Sequence, residues 1–315
     1  MDRAILGWGR RRAIQEITRG MTHMHHALKT TGAAVALAML AACGGSDDKP
    51  TYSEAQLKAL GSDVVGVSLG LPQITTFTAA QVLSFLADGA PDGPQPCEEG
   101  GTYTAALTRA SAGSIPGNGD KVDIEFDKCE DDAAQLTGKT TVTFSDVSGD
   151  IFDPDAAAAA TLAFPFRGML MDDETTLDGD FVLKASTTPD SEPGKDDGSS
   201  TARISGAVKI AEPGLSIEIS EYVAEFVSDD ATDIETFSRI DYRAKGNRSP
   251  LGAFDYRVSM PTPFVANIGS GELISGGLRA KTDAETVDVT IATDKGGTTV
   301  GIKSSSGKST TLDDF

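Results

Sequence analysis

Apolar and polar residues alternate along most of the chain from Gly101 onward, which is the pattern of half-buried β-strands. Turn-forming Gly, Asp, Ser and Pro residues separate the runs, and no helical pattern of comparable length lies between them. The sequence therefore predicts about a dozen strands in a mainly β fold, a single antiparallel meander that forms a curved sheet or a half-open barrel. The apolar positions of the clearest runs are Val122, Ile124 and Phe126; Leu162, Phe164 and Phe166; Phe181 and Leu183; Leu215, Ile217 and Ile219; Tyr222, Ala224 and Phe226; Phe254, Tyr256 and Val258; and Val287, Val289 and Ile291.

Residues 53–89, before this sheet, have the spacing of helices instead. Ser53 with Gln56 and Thr78 with Gln81 fit two capping boxes, and each precedes an apolar stripe at helical spacing. Pro72 lies between the two stripes, where it is expected to end the first helix. The sequence thus predicts two short N-terminal helices that cover the concave face of the sheet.

Some segments stand out within the β region. An apolar residue, a spacer and a glycine recur before strands, and each glycine is expected to mark a bulge or a strongly coiled strand. The polar stretch Thr187–Ser200 predicts a long hairpin tip, and residues 304–315 predict a flexible tail after a β-rich domain of residues 53–303. The four glycine positions are Gly138, Gly179, Gly206 and Gly276.

The sequence Leu40-Ala41-Ala42-Cys43 follows a short apolar run from Ala33, and Gly44 and Gly45 come directly after it. The apolar run is shorter than the roughly 20 residues that a transmembrane helix needs. This stretch resembles the lipobox of bacterial lipoproteins, cleaved by signal peptidase II. The resemblance implies a signal peptide over residues 1–42, a lipidated Cys43 carrying palmitate or a similar acyl chain, and a tether over residues 43–52.

Two details refine that expectation. Arg10, Arg11 and Arg12 lie far from the apolar run, so the true start is expected at Met21 or Met24, with residues 1–20 or 1–23 outside the protein. In the lipoprotein family an Asp after the acylated Cys retains the protein in the inner membrane, and here that residue is Gly44. The resemblance therefore implies the outer membrane, on either its periplasmic or its outer face.

The composition after Cys43 restricts the chemistry of the protein. Of the 27 basic and 47 acidic side chains, six basic and two acidic ones precede Cys43, which leaves a net charge near −24. A surface this acidic repels nucleic acid, so we expect no nucleic-acid partner. All three histidines also precede Cys43. Histidine-dependent triads and imidazole metal sites are therefore excluded, and we expect no enzyme and no cofactor.

Cys97 and Cys129 are the two remaining cysteines. An even pair in an exported protein predicts a disulfide, because the alternative of a redox or metal pair needs a Cys-x-x-Cys spacing or additional soft ligands. Cys97 precedes the first predicted strand, Gly101–Arg109, and Cys129 follows the second, Val122–Phe126. A bridge there would close the open end of this hairpin.

Acidic residues supply the weaker candidates for a site. Asp172, Asp173, Asp178 and Asp180 lie in and beside a predicted turn, where carboxylates could bind calcium, although turn formation alone accounts for them. Paired carboxylates could also serve a hydrolase that acts on envelope polysaccharide. With so many acidic residues, some close pair is expected in any fold, so this alternative is not specific.

A second resemblance covers most of residues 97–297. The segments Cys97-Glu-Glu-Gly-Gly-Thr102, Gly119-Asp120, Phe126-x-x-Cys129 and Leu136-x-Gly138, with the closing segment 270–297, resemble a group of uncharacterised proteobacterial envelope lipoproteins. The resemblance implies an exported β-rich fold and carries no catalytic residues. We therefore expect a lipid-anchored envelope protein with a non-catalytic role, either structural or in binding a protein or small-molecule partner. The alternatives are the hydrolase and a calcium-binding surface protein.

Overall fold

The computed structural model describes residues 51–312, apart from residues 111, 114–115, 131–134, 154–155, 190, 192–197, 230, 268–272 and 295–296. One helix, α1 (Glu54–Ala87), precedes fourteen strands that pair in chain order as a single antiparallel meander. The strands are β1 (Gln95–Pro96), β2 (Gly100–Thr108), β3 (Lys121–Glu130), β4 (Gln135–Ser148), β5 (Ala158–Met171), β6 (Thr175–Thr188), β7 (Ser199–Glu212), β8 (Leu215–Asp229), β9 (Ile234–Arg248), β10 (Gly252–Asn267), β11 (Leu273–Lys281), β12 (Thr286–Asp294), β13 (Gly297–Ser304) and β14 (Ser309–Leu312).

This architecture confirms the predicted mainly β meander. The sheet is not closed into a barrel, since its order runs from β1 to β14 with no pairing between those two strands. One core cluster joins the inward-facing residues of the sheet to the apolar residues of α1. The described residues therefore form one packed unit.

The prediction of two short helices was wrong, because α1 continues through Pro72. A proline inside a helix leaves the carbonyl four residues earlier without its usual N–H donor. Here that carbonyl belongs to Ser68, and it accepts a hydrogen bond of 3.1 Å from the Tyr222 hydroxyl on β8. The sheet thus supplies the donor that proline lacks. The predicted first cap is confirmed, since Ser53 and Gln56 form a capping box.

The helix runs across the strands. Its contacts follow the sheet from one edge to the other: Glu54 with β14, Gly61 with β13, Val64 with β9, Ser68 with β8, Phe77 with β3 and Ser84 with β2. Every residue from Leu71 to Ala80 is buried, so this part of the helix is covered on all sides. A helix with no exposed face is typical of a core element. The protein's own helix therefore occupies the concave face of the sheet.

Bulges curve the long strands. The runs Leu215–Ile219 and Tyr222–Phe226 lie on one strand, β8, with a register shift between Ser220 and Val223 that restores the inward phase after one extra residue. Similar shifts lie within most neighbouring strand pairs, such as Phe166 to Met169 in β5. A bulge bends its strand and increases the local twist, so these irregularities help the sheet to curve around α1.

The recurring glycines lie where neighbouring strands approach so closely that a Cβ atom would be crowded or would clash. Gly138, Gly179 and Gly206 each pair directly with a phenylalanine on the preceding strand. A Cβ on Gly206 would lie 2.2 Å from the Asp180 carbonyl oxygen and 2.9 Å from the Phe181 ring. Gly276 likewise abuts the ring of Phe264. The prediction of strongly coiled strands at these glycines agrees with this close approach.

One predicted boundary needs correction. The predicted flexible tail, 304–315, contains strand β14, which pairs with Val300–Lys303 of β13, so the β-rich domain extends beyond residue 303 to Leu312. The strand forms because Ser309–Leu312 completes a hairpin and Thr310 also reaches Glu54 of α1. The predicted tip 187–200 does connect two paired strands, β6 and β7, and half of it lies outside the described residues.

Candidate functional site

The anchor motif, Leu40, Ala41, Ala42 and Cys43, lies outside the described residues. Within the part of the chain that the structure describes, no helix is long and apolar enough to cross a membrane. The first described residue, Thr51, is eight residues after Cys43, and it lies against the β13–β14 hairpin, where its hydroxyl accepts a hydrogen bond of 3.0 Å from Lys308. The predicted tether therefore meets the domain at this hairpin.

The predicted disulfide is confirmed. Cys97 and Cys129 are bonded, with their Cα atoms 5.4 Å apart. Cys129 lies within β3 rather than after it, because a register shift between Phe126 and Cys129 lets the strand continue to Glu130. Both cysteines are buried. The bridge fixes the segment before β2 to the end of β3, next to the first edge of the sheet, where few other strand contacts restrain it.

The four calcium candidates do not converge on one point. Each carboxylate has a separate partner: Asp172 accepts from the Gln135 N–H at 3.2 Å, Asp173 pairs with Lys128 at 3.0 Å, Asp178 accepts from the Gly168 N–H at 2.7 Å, and Asp180 pairs with Arg167 at 2.6 Å. Among the described residues no group of three or more His, Cys, Asp and Glu side chains is placed to hold a metal ion. These carboxylates instead stabilise turns and neighbouring strands.

Asp120, within the Gly119-Asp120 segment of the second resemblance, organises the long β2–β3 connection. Its fully buried carboxylate accepts the N–H groups of Ala110 at 2.8 Å and Gly117 at 2.9 Å, and pairs with Arg109 at 3.0 Å. Burial raises the pKa of Asp120, but these three partners outweigh it and hold the pKa below its usual value. The segment therefore has a structural role in the described fold.

A polar core, made by Asp63, Ser68, Tyr222, Tyr242 and Arg248, lies between α1 and strands β8 and β9. The Tyr242 hydroxyl donates to the Val64 carbonyl at 3.0 Å, and the Ser68 hydroxyl donates to Tyr242 at 3.3 Å. One Asp63 oxygen pairs with Arg248, whereas the other has no hydrogen-bond partner. Burial raises the pKa of Asp63 to about 6, against the lowering effect of Arg248.

Another buried carboxylate, Glu235, lies at the opposite end of β9 from Arg248. The Ser228 hydroxyl donates to one of its oxygens at 3.1 Å, and the other oxygen has no partner. Burial raises the pKa of Glu235 to about 7, against the lowering effect of the hydrogen bond from Ser228. Thirteen residues of strand separate Glu235 from Arg248, roughly 40 Å, so Glu235 and Asp63 cannot act as one carboxylate pair.

The outward face of the sheet carries an ordered row of polar side chains. Successive cross-strand partners are Thr161, Lys184, Arg203, Glu225 and Arg239, from β5 to β9. Arg203 pairs with Glu225, and Arg239 pairs with Asp241 at 3.1 Å. The row crosses a shallow depression of about 510 Å³, the outer groove, lined also by Ala185, Ala202 and Val227. Its charges nearly balance, so this acidic protein has a mixed-charge surface there.

Sequence reasoning missed the burial of Asp63 and of Glu235, although each left a signal. Asp63 directly precedes Val64 within the apolar helical stripe, and Glu235 shares the two-residue phase of the inward-facing Phe237. An ionisable residue at a core position is a candidate for a functional or strained site. No family model, curated protein or solved structure matches the chain.

Proposed function

We propose that this protein is a lipid-anchored component of the bacterial cell envelope, attached through Cys43 to the outer membrane, with a non-catalytic role in structure or in binding a partner. The observation that supports this role best is the position of α1. It lies on the concave face of the sheet from β14 to β2, with Leu71–Ala80 entirely buried. A carrier fold needs that space for its ligand. A partner would instead meet the outward face or the ends of the strands.

The surface supports the same proposal. The outer groove is shallow, and its charges are largely paired across strands, as in Arg203 with Glu225. Such a surface suits a protein partner that supplies its own polar groups, rather than a small apolar ligand that must be enclosed. A strongly acidic net charge also keeps the domain soluble beside the membrane.

The anchor is tested by labelling cells with a palmitate analogue and fractionating their membranes. The wild-type chain should take up the label and sediment with the outer membrane, whereas Cys43→Ala should do neither. Ser46→Ala, three residues away, is the matched control and should behave as wild type. Label and outer-membrane sedimentation retained in Cys43→Ala would contradict the proposal. Crosslinking of the anchored protein in its native envelope then identifies the partner.

A carboxylate-based hydrolase is the second candidate, and one observation favours it. Asp63 is buried with a pKa of about 6 and a free oxygen, and the charge of Glu212 adds to the raising of that pKa. A carboxyl group with such a pKa could act as a general acid. Against it, Arg248 occupies the other Asp63 oxygen, and Thr175 donates to Glu212 at 2.8 Å. In such a hydrolase Glu212 would be the second carboxylate beside Asp63. Release of reducing sugar from envelope polysaccharide by the wild type, and its loss in Glu212→Gln, would favour the hydrolase.

A further inference from the structure

The start of the described chain is fixed to one end of the domain by a buried carboxylate. Glu285, in the β11–β12 turn, accepts the main-chain N–H of Tyr52 and the hydroxyls of Ser304 and Ser306, the last at 2.9 Å. Burial raises the pKa of Glu285, but these hydrogen bonds outweigh it and lower the pKa below its usual value. A fully hydrogen-bonded carboxylate of this kind holds its partners firmly.

Neighbouring contacts hold the same segment from other sides. Lys308 donates to the Tyr52 carbonyl at 2.7 Å and to the Thr51 hydroxyl at 3.0 Å. Thr310 donates to Glu54 at 3.2 Å. The Gln56 side chain donates to the Pro250 carbonyl at 3.3 Å. Residues 51–56 are thus attached to the β9–β10 turn, the β11–β12 turn and the β13–β14 hairpin together.

The meander places these turns at one end of the strands. Because consecutive strands alternate in direction, every second connection lies at the same end. That end, the turn face, consists of connections 97–99, 172–174, 213–214, 249–251, 282–285 and 305–308. The described parts of the other alternate connections, including 231–233, lie at the opposite end. The central strands, of 14–16 residues, place the two ends of the domain roughly 40 Å apart, whereas β11–β13, beside Thr51, have 8–9 residues.

The length of the tether then restricts how the domain can sit above a membrane. Thr51 is eight positions after Cys43, and an extended chain over eight positions spans at most about 28 Å. With the opposite end towards the membrane, Thr51 would lie roughly 40 Å above the lipid surface, beyond the reach of the tether. With the turn face towards the membrane, the tether is long enough.

We propose that the turn face is the membrane-facing surface of this protein, and that the opposite end, with the β2–β3 and β8–β9 connections, points away from the lipid. This inference rests on the proposed lipid anchor at Cys43. Connections 172–174 and 282–285 would then lie next to the lipid surface. Any partner in the aqueous compartment would then meet the opposite end or the outer groove.

The test measures energy transfer from a fluorophore on the full chain to acceptor-labelled lipid headgroups in vesicles. Cys43 is acylated and Cys97 is bonded to Cys129, so one added cysteine takes the label. Asp283→Cys and Glu174→Cys place it at two exposed turns of the turn face, and Ala231→Cys places it at the opposite end. We expect transfer at least several-fold stronger from positions 283 and 174 than from 231, since transfer falls steeply over such a difference in height.

Equal transfer from the three positions, or the strongest transfer from position 231, would overturn the proposed orientation. Palmitate labelling of the same preparations keeps the anchor proposal separate. If the label is absent, the anchor proposal fails, and the free thiol of Cys43 can be coupled to a maleimide lipid. The same comparison of positions 283, 174 and 231 on those vesicles then decides the orientation by itself.

Discussion

The hydroxyl of Tyr222 donates a hydrogen bond of 3.1 Å to the main-chain carbonyl of Ser68. This is the carbonyl that Pro72, which has no N–H, leaves without a helical donor. Tyr222 and Ser68 are both fully buried, so neither the hydroxyl nor the carbonyl has water as an alternative partner. The sheet and the proline are therefore coupled, and the coupling explains how one long helix replaces the two short ones that Pro72 predicts.

Tyr222→Phe should destabilise the protein by about 1–3 kcal/mol, because it leaves the Ser68 carbonyl buried without a donor. The loss should be smaller when Pro72→Ala is also present, since the N–H of an alanine at position 72 can bond to Ser68. Urea unfolding of the four proteins, followed by circular dichroism, gives the coupling energy. Equal losses in the two backgrounds would show that Tyr222 and Pro72 act independently.

Two glycines should respond to alanine in opposite directions. Gly206→Ala places a Cβ 2.2 Å from the Asp180 carbonyl oxygen, so strands β6 and β7 must separate. We expect a loss of about 3 kcal/mol or more. Gly70 lies within α1 with no atom near its missing Cβ, and Gly70→Ala should stabilise by about 0.5–1 kcal/mol through helix propensity. Thermal unfolding of both variants measures the contrast, and a harmless Gly206→Ala would show that the strands are not tightly coiled there.

The disulfide should stabilise the fold without serving a reaction. Cys97 and Cys129 are separated by 32 residues, and closing such a loop is worth roughly 3–4 kcal/mol in the chain-entropy model. The double variant Cys97→Ala and Cys129→Ala should lose about that much stability and keep its β-sheet circular dichroism. Thiol titration of the denatured, unreduced protein from the periplasm should detect neither cysteine, and two reactive thiols would contradict the bridge.

The sheet was predictable because the alternation of apolar and polar residues within each strand indicates which face of that strand is buried. The alternation at Val122–Phe126 or Phe254–Val258 depends only on which side of the sheet is buried, and the meander follows from short connections. The phase change between Ile219 and Tyr222 even marks the bulge in β8. Such signals are local, so the sequence alone carries them.

The long helix and the buried carboxylates were not predictable, because they depend on residues far away in the chain. Pro72 is tolerated only because Tyr222, 150 positions later, supplies a donor. Asp63 is buried against Arg248, and Glu235 is buried in a phase that usually holds an apolar residue. The attachment of Tyr52 to Glu285 likewise joins the two ends of the domain. The apolar phase around Asp63 and Glu235 marks each as a candidate for burial, but it does not identify the distant partner.

Two buried glutamates should give opposite dependences of stability on pH. Burial raises the pKa of Glu235 from 4.5 to about 7, so between these values the folded state binds more protons than the unfolded state. Stability should therefore fall as the pH rises from about 4.5 to about 7, by up to roughly 3 kcal/mol from this group. Glu235→Gln stays uncharged, so it should remove this loss and match or exceed the wild type above pH 7.

Glu285 provides the matched comparison. Its pKa is lowered in the folded state, so the unfolded state binds more protons, and its contribution is present above the ordinary pKa and is lost as the pH falls. Glu285→Gln should therefore destabilise the protein at neutral pH, with the deficit shrinking towards acid. Urea unfolding of both variants and the wild type at pH 4 to 8 separates the two effects. If Glu235→Gln shows the same fall in stability as the wild type between pH 4.5 and 7, Glu235 is not the group that titrates in this range, and the raised pKa is contradicted.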